Sequence, residues 1–175
     1  MPVRSILLLG DPILHEPSSH VAESELPALR SVVGDLHDTL SDFQRRTGVG
    51  RAIAAPQIGV RKRLVYMHID SPVVFINPEF ELLSEDMIEL WDDCMCFPDL
   101  LVRVRRHHAC LIRYRDLDWM EHRHELEGDL SELLQHEVDH LDGILATQRA
   151  VDDRSFALRV AGPALQRQTR SVAKQ

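Results

Sequence analysis

The segment Gln135-His136-Glu137-Val138-Asp139-His140 constrains this chain more tightly than any other, because it fixes a local conformation and a chemistry together. Two histidines four residues apart project from one face of a helix, where they can hold one metal ion. Glu137 lies about 100° round the axis from His136, within reach of a water on such an ion. The flanking residues also have helical spacing. On the same arithmetic of about 100° per residue, Leu130, Leu134, Val138 and Leu141 gather opposite His136 and form the expected core face. Asp129, Glu132, Leu133 and His140 fall within about 60° of His136. The spacing predicts a helix over residues 129–141, after Gly128 and ending before Gly143. The alternative is two solvated histidines on a surface helix, and a helix whose core face leaves the histidine face coherent argues against it.

A catalytic metal needs a third protein ligand and an open position. The candidates lie in Trp91-Asp92-Asp93-Cys94-Met95-Cys96-Phe97-Pro98, as the thiols of Cys94 and Cys96 or the carboxylates of Asp92 and Asp93. Strand alternation sends the two thiols to opposite faces, so one can meet a metal while the other packs as a small apolar residue. A third segment, Gly50-Arg51-Ala52-Ile53-Ala54-Ala55-Pro56-Gln57-Ile58-Gly59, is rich in small residues that admit close backbone approach. It reads either as a tight connection or as a loop whose Gln57 amide donates to a developing oxyanion.

With 175 residues and 44% apolar composition, the chain suits one buried domain. Its 20 Lys and Arg against 28 Asp and Glu leave a net charge of −8, which argues against binding nucleic acid by general phosphate neutralisation, so no specific nucleic-acid partner is expected. No apolar run approaches the ~18–20 residues of a membrane span, and the N-terminal apolar stretch is too short for a secretory signal. A soluble, cytoplasmic protein without a membrane partner is expected. The three cysteines, Cys94, Cys96 and Cys110, are then not a disulfide framework.

An amphipathic helix is expected over residues 24–46, with Leu29, Val32, Val33, Leu36, Leu40 and Phe43 on one face, Ser24 as its cap and Gly48 as its stop. Strands are expected at 64–67, 73–76, 109–114 and about 122–127, parted by turn formers such as Asp70-Ser71-Pro72 and Asn77-Pro78. The order implies an α+β fold, an antiparallel-rich sheet around the histidine-bearing helix. Residues 1–153 are expected to form one catalytic domain. Residues 154–175, with Arg154, Arg159, Arg167, Arg170 and Lys174 and no acid, form a basic C-terminal tail, solvated and frayed or a basic arm.

Taken together, Ala54-Ala55-Pro56-Gln57-Ile58-Gly59, the degenerate Asp92-Asp93-Cys94-Met95-Cys96 and Gln135-His136-Glu137-Val138-Asp139-His140-Leu141-Asp142-Gly143 resemble, in order, the three motifs of the peptide deformylases. Gly10-Asp11-Pro12 and Ile76-Asn77-Pro78 extend the resemblance, which spans roughly residues 6–149. It implies hydrolysis of the N-formyl group from formylmethionyl peptides, or from a related formylated substrate, at one divalent metal, Fe(II) first and Zn, Ni or Co in its place. Cys94, His136 and His140 would be the ligands, Glu137 the general base and acid, and Gln57 with the backbone N–H of Met95 the oxyanion donors. Gly50, Arg51, Ala52, Leu90, Asp129, Glu132 and Leu133 would border the substrate pocket, and the basic tail would make a weak contact with the ribosome. A zinc endopeptidase of the HExxH type and a metal-binding protein with little hydrolase activity are the other readings.

The chain departs from the family pattern at Arg51, where an aliphatic residue is usual, at Ala52 for glycine, at Asp92-Asp93 for Glu-Gly, and at Cys96 for serine. The expected consequence is that Arg51 pairs with Asp129 or Glu132 and makes the first side-chain pocket shallow and polar. Otherwise Asp129 only favours the helix N-terminus and Glu132 faces solvent.

Overall fold

The computed structural model describes residues 3–161. Among them, α1 (Leu26–Thr47) is followed by β1 (Ala52–Ala54), β2 (Leu64–His68), β3 (Pro72–Leu83), β4 (Met87–Asp93), β5 (Leu100–His107), β6 (Ala109–Arg115), β7 (Glu121–Glu127), α2 (Asp129–Leu141) and β8 (Phe156–Leu158). The strands form two antiparallel sheets, ordered β1-β2-β3-β6-β7 and β4-β5-β8. The class is α+β. No helix among the described residues is long and apolar enough to cross a membrane.

The five-stranded sheet separates the two helices by simple alternation. Successive strand residues point to opposite faces, so Ile53, Leu64 and Tyr66 join Leu36, Leu40 and Phe43 of α1 in one core. Ala52, Ala54 and Val65 face the other way and pack with Leu133, Leu134, Val138 and Leu141 of α2. The small side chains of Ala52 and Ala54 let α2 lie close to β1. Helix α1 ends where Gly48 takes a left-handed φ of 75° and its N–H closes on the Gln44 carbonyl. Its start differs from the expected Ser24 cap. A 3-10 turn over Glu23–Glu25 precedes it, and the Glu25 carboxylate accepts the Ala22 N–H at 2.8 Å.

Two other expectations are corrected. Asn77-Pro78 does not end a strand: β3 continues through it, with register shifts after Ile76 and Phe80 and Asn77 at a φ of 50°. The side chain of Asn77 supplies the missing pairing, accepting the Val21 N–H at 2.8 Å and donating to the Val21 carbonyl at 2.9 Å. The start of the expected basic tail is built into the smaller sheet, because Phe156–Leu158 pair with Leu100, Leu101 and Val102 of β5. Arg167, Arg170 and Lys174 lie outside the described residues.

Helix α2 is buried from Ser131 to Leu141, on both faces rather than one. Leu130, expected in the core, is instead 36% exposed, since the first turn projects beyond the sheet. The face opposite the sheet is covered by β5 and by the turn after β4. After the helix, Gly143 at a φ of 72° lets the chain pass the His15 carbonyl, which a Cβ there would meet at 2.6 Å.

Candidate metal centre

The turn that follows β4 brings Cys94 against α2. Cys94, His136 and His140 are buried, and one ligand atom from each lies within 4.8 Å of the others. Cys94 Sγ is 3.2 Å from His140 Nε2, and the two imidazole rings stand 5.0 Å apart at 70°. The donor set, one sulfur and two imidazoles, fits a borderline divalent ion and leaves a fourth position open. Beside the group, the buried Glu137 Oε2 has no hydrogen-bond partner.

The carboxylates considered as third ligands do other work. Asp92 is not part of the three-ligand group and takes the His136 ring at Nδ1, 2.9 Å away, which leaves Nε2 for the cluster. Such a contact fixes the ring's orientation and tautomer. Asp92 is held in turn by Arg106 at 3.2 Å. Arg106 also pairs with Asp139, and Arg149 donates to the other oxygen of Asp139 at 2.7 Å. A chain of alternating charge therefore runs from the buried His136, Asp92, Arg106 and Asp139 out to the exposed Arg149. Asp139 acts through Arg106, not on a histidine. Asp93 reaches the rim and pairs with Arg159 at 2.6 Å.

Burial opposes ionisation of Asp92, but His136 and Arg106 outweigh it and hold the carboxyl down at about 2. For His136, burial likewise opposes the charge and the Asp92 carboxylate overrides it, raising the ring to about 9. Glu137 has no such partner. Its burial raises the carboxyl to about 7, and the nearby His136 only partly offsets the rise.

Cys94 and Cys96 are not in a strand, so the expected alternation does not apply. Both thiols lie near Gln57, whose Nε2 is 3.7 Å from Cys94 Sγ and 3.6 Å from Cys96 Sγ. The Gln57 oxygen is fixed by the Ala54 N–H at 2.7 Å. Cys96 is 1% exposed, packs with Phe97 and Val102, and is not part of the three-ligand group.

A cavity of about 460 Å³ opens on this cluster, bounded by Cys94, Met95, His136, Glu137 and Gln57. Gly50, Arg51 and Ala52 line it from the approach to β1, Leu90 from β4, and Glu132 and Leu133 from α2. Asp129 does not. Its side chain is exposed at the start of α2, and only its backbone carbonyl is used, accepting from Arg51 at 3.3 Å. The pairing expected of Arg51 is made with Glu132 alone, at 2.5 Å.

Arg106 and Arg159 were missed from sequence. Arg106 had a signal, since the period-two row Val102, Val104, Arg106 places a cation at an inward position of β5, which requires buried acids. Arg159 had none, because its partner lies 66 residues away.

The profile of the family described as Polypeptide deformylase matches residues 3–155. A peptide deformylase of Leptospira biflexa serovar Patoc is 34% identical over 170 residues, covering 89% of this chain and 92% of that protein. The crystal structure of a peptide deformylase from Synechococcus elongatus in complex with actinonin superposes with a TM-score of 0.80 at 28% identity, over 87% of this chain and 81% of that one. A Met-Ala-Ser-bound class I type b peptide deformylase from Acinetobacter baumannii does so with a TM-score of 0.78 at 27% identity, over 85% and 98%.

Proposed function

This chain belongs to the polypeptide deformylase family, and from that premise we propose how its own residues carry the reaction. It is a metal-dependent hydrolase that removes the N-formyl group from formylmethionyl peptides, releasing formate and a free amine. The observation that carries the residue assignment is the buried Cys94, His136 and His140 group with the unpartnered Glu137 carboxylate beside it in one cavity. A divalent ion on those three ligands, Fe(II) with Zn, Ni or Co able to replace it, supplies Lewis-acid polarisation of the formyl carbonyl and a more acidic water.

Glu137 takes a proton from the attacking water and returns it to the departing amine. A carboxyl raised to about 7 suits both transfers near neutral pH. The Gln57 side-chain amide and the Met95 backbone N–H donate to the oxygen as it becomes negative. Gln57 Nε2 faces only sulfur, a weak acceptor, so turning to an oxyanion costs it little. Asp92 keeps His136 in the ligating orientation, and Arg106 and Asp139 hold Asp92. The substrate class places the enzyme in the cytoplasm with formylated peptides as partners.

The test is to incubate the metal-loaded protein with formyl-Met-Ala-Ser and with casein side by side. Formate release with intact casein is expected. Casein cleavage without formate would replace this reading by that of an HExxH endopeptidase.

A further inference from the structure

Glu132 stands four residues before His136 on α2, about 6 Å along the axis, and faces the same cavity. Its carboxylate is 7% exposed as a residue and is joined to Arg51 at 2.5 Å, while the second arm of Arg51 rests on the Asp129 carbonyl. The Arg51 side chain lines the cavity and is 41% exposed. Any formylated amine must bring its formyl carbon to the ligand cluster, and its side chain starts only one atom beyond the nitrogen that is freed. That side chain therefore enters a cavity with an ion pair in its wall.

We propose that the Arg51 and Glu132 pair sets the preference for the first side chain, and that the cavity favours a neutral group that both donates and accepts hydrogen bonds, the carboxamide of Gln or Asn, over the thioether of Met. The inference rests on the deformylase reading and names its substrate class.

An apolar side chain here displaces water from Arg51 and Glu132 and returns no hydrogen bond, which leaves polar groups desolvated. An acidic side chain meets Glu132, and a basic one meets Arg51, so each gains one partner and one repulsion. A carboxamide offers an N–H to the free oxygen of Glu132 and an oxygen to the open N–H of Arg51 without separating the pair. Burial and the charge of Asp92 push the Glu132 carboxyl upward, with Arg51 offsetting only part of the rise, so a further donor to that carboxylate is favourable.

The experiment measures kcat/KM for formate release from formyl-X-Ala-Ser, with X as Gln, Asn, Met, norleucine, Asp and Lys, on the metal-loaded full chain. Calorimetric binding of the matching unformylated peptides supplies a readout independent of turnover. Gln or Asn should lead Met by about tenfold or more, within the range polar pockets reach when they reject an analogue lacking the hydrogen-bonding group. Asp and Lys should trail, and binding should follow the same order. The double variant R51I with E132L should reverse the order of Gln and Met. Met leading in both readouts of the unmodified protein overturns the inference and leaves the deformylase reading intact, as does a double variant with an unchanged order. If the double variant does not fold, the ranking on the unmodified protein decides. No formate from any peptide, with metal bound, overturns the deformylase reading itself.

Discussion

Two of the three proposed ligands, His136 and His140, are one helical turn apart, and Cys94 reaches them from 46 residues before His140. Next to the two histidines on the same helix, Glu132 is joined to Arg51 across 81 residues of sequence. Beside the proposed ligands the charges of His136, Asp92, Arg106 and Asp139 are paired in a chain that ends at Arg149. Glu137 Oε2 has no hydrogen-bond partner, and a buried carboxylate free in this way beside the proposed ligands is the group assigned to proton transfer. The two parts thus divide the work. One part anchors the His136 ring through a chain of paired charges, and the other carries an ion pair that a substrate can address.

The contrast can be broken most decisively at the ligands. Cys94→Ala should empty the site and abolish formate release, while Cys96→Ala should keep the metal, since its sulfur lies outside the three-ligand group. Metal analysis of both purified proteins checks this, and the reverse pattern would reassign the thiols. Next in size is Glu137→Gln, which keeps the shape and the metal but removes the base. The loss expected in kcat is about 10²–10⁴-fold, the usual scale of general acid–base catalysis, and a fully active variant would remove Glu137 from the chemistry.

A smaller effect is expected one step back from the metal. Asp92→Asn frees the His136 ring from its charged anchor and should weaken metal affinity by about 10–100-fold, read by competition with a chelator. Asp139→Asn should be milder still in turnover. It leaves Arg106 with one charged partner fewer, so the loss should appear as a lower unfolding midpoint and looser metal retention with kcat largely kept. Loss of all activity in a folded, metal-loaded Asp139→Asn protein would give Asp139 a direct chemical role instead.

The parts of this arrangement that were legible in the sequence are those set by local period. Helix α2 and the convergence of His136 and His140 follow from a spacing of four, and the stop of α1 at Gly48 follows from a residue that tolerates a positive φ. The course of β3 through Asn77-Pro78 was not legible, because the pairing lost there is repaid by Val21, 56 residues away. Nor was the full burial of α2: the apolar side was read from the wheel, but the second covering layer comes from β5 and the turn after β4. Within the site, Asp92 was visible only as a carboxylate near a cysteine. Its attachment to His136 depends on how β4 docks on α2. The choice of Glu132 over Asp129 as the partner of Arg51 has the same origin, since the wheel puts both acids on the histidine face but the Asp129 side chain, at the first position of α2, is exposed and does not line the cavity.

The measurement that bears most directly on the central assignment is formate release from formyl-Met-Ala-Ser by the protein prepared anaerobically with Fe(II), compared with Glu137→Gln carrying the same metal content. The account predicts one metal per chain in both, catalytic formate release from the unmodified protein, and a rate lower by about 10²–10⁴-fold in the variant. Equal rates at equal metal content would contradict it, as would a variant that loses its metal along with its activity.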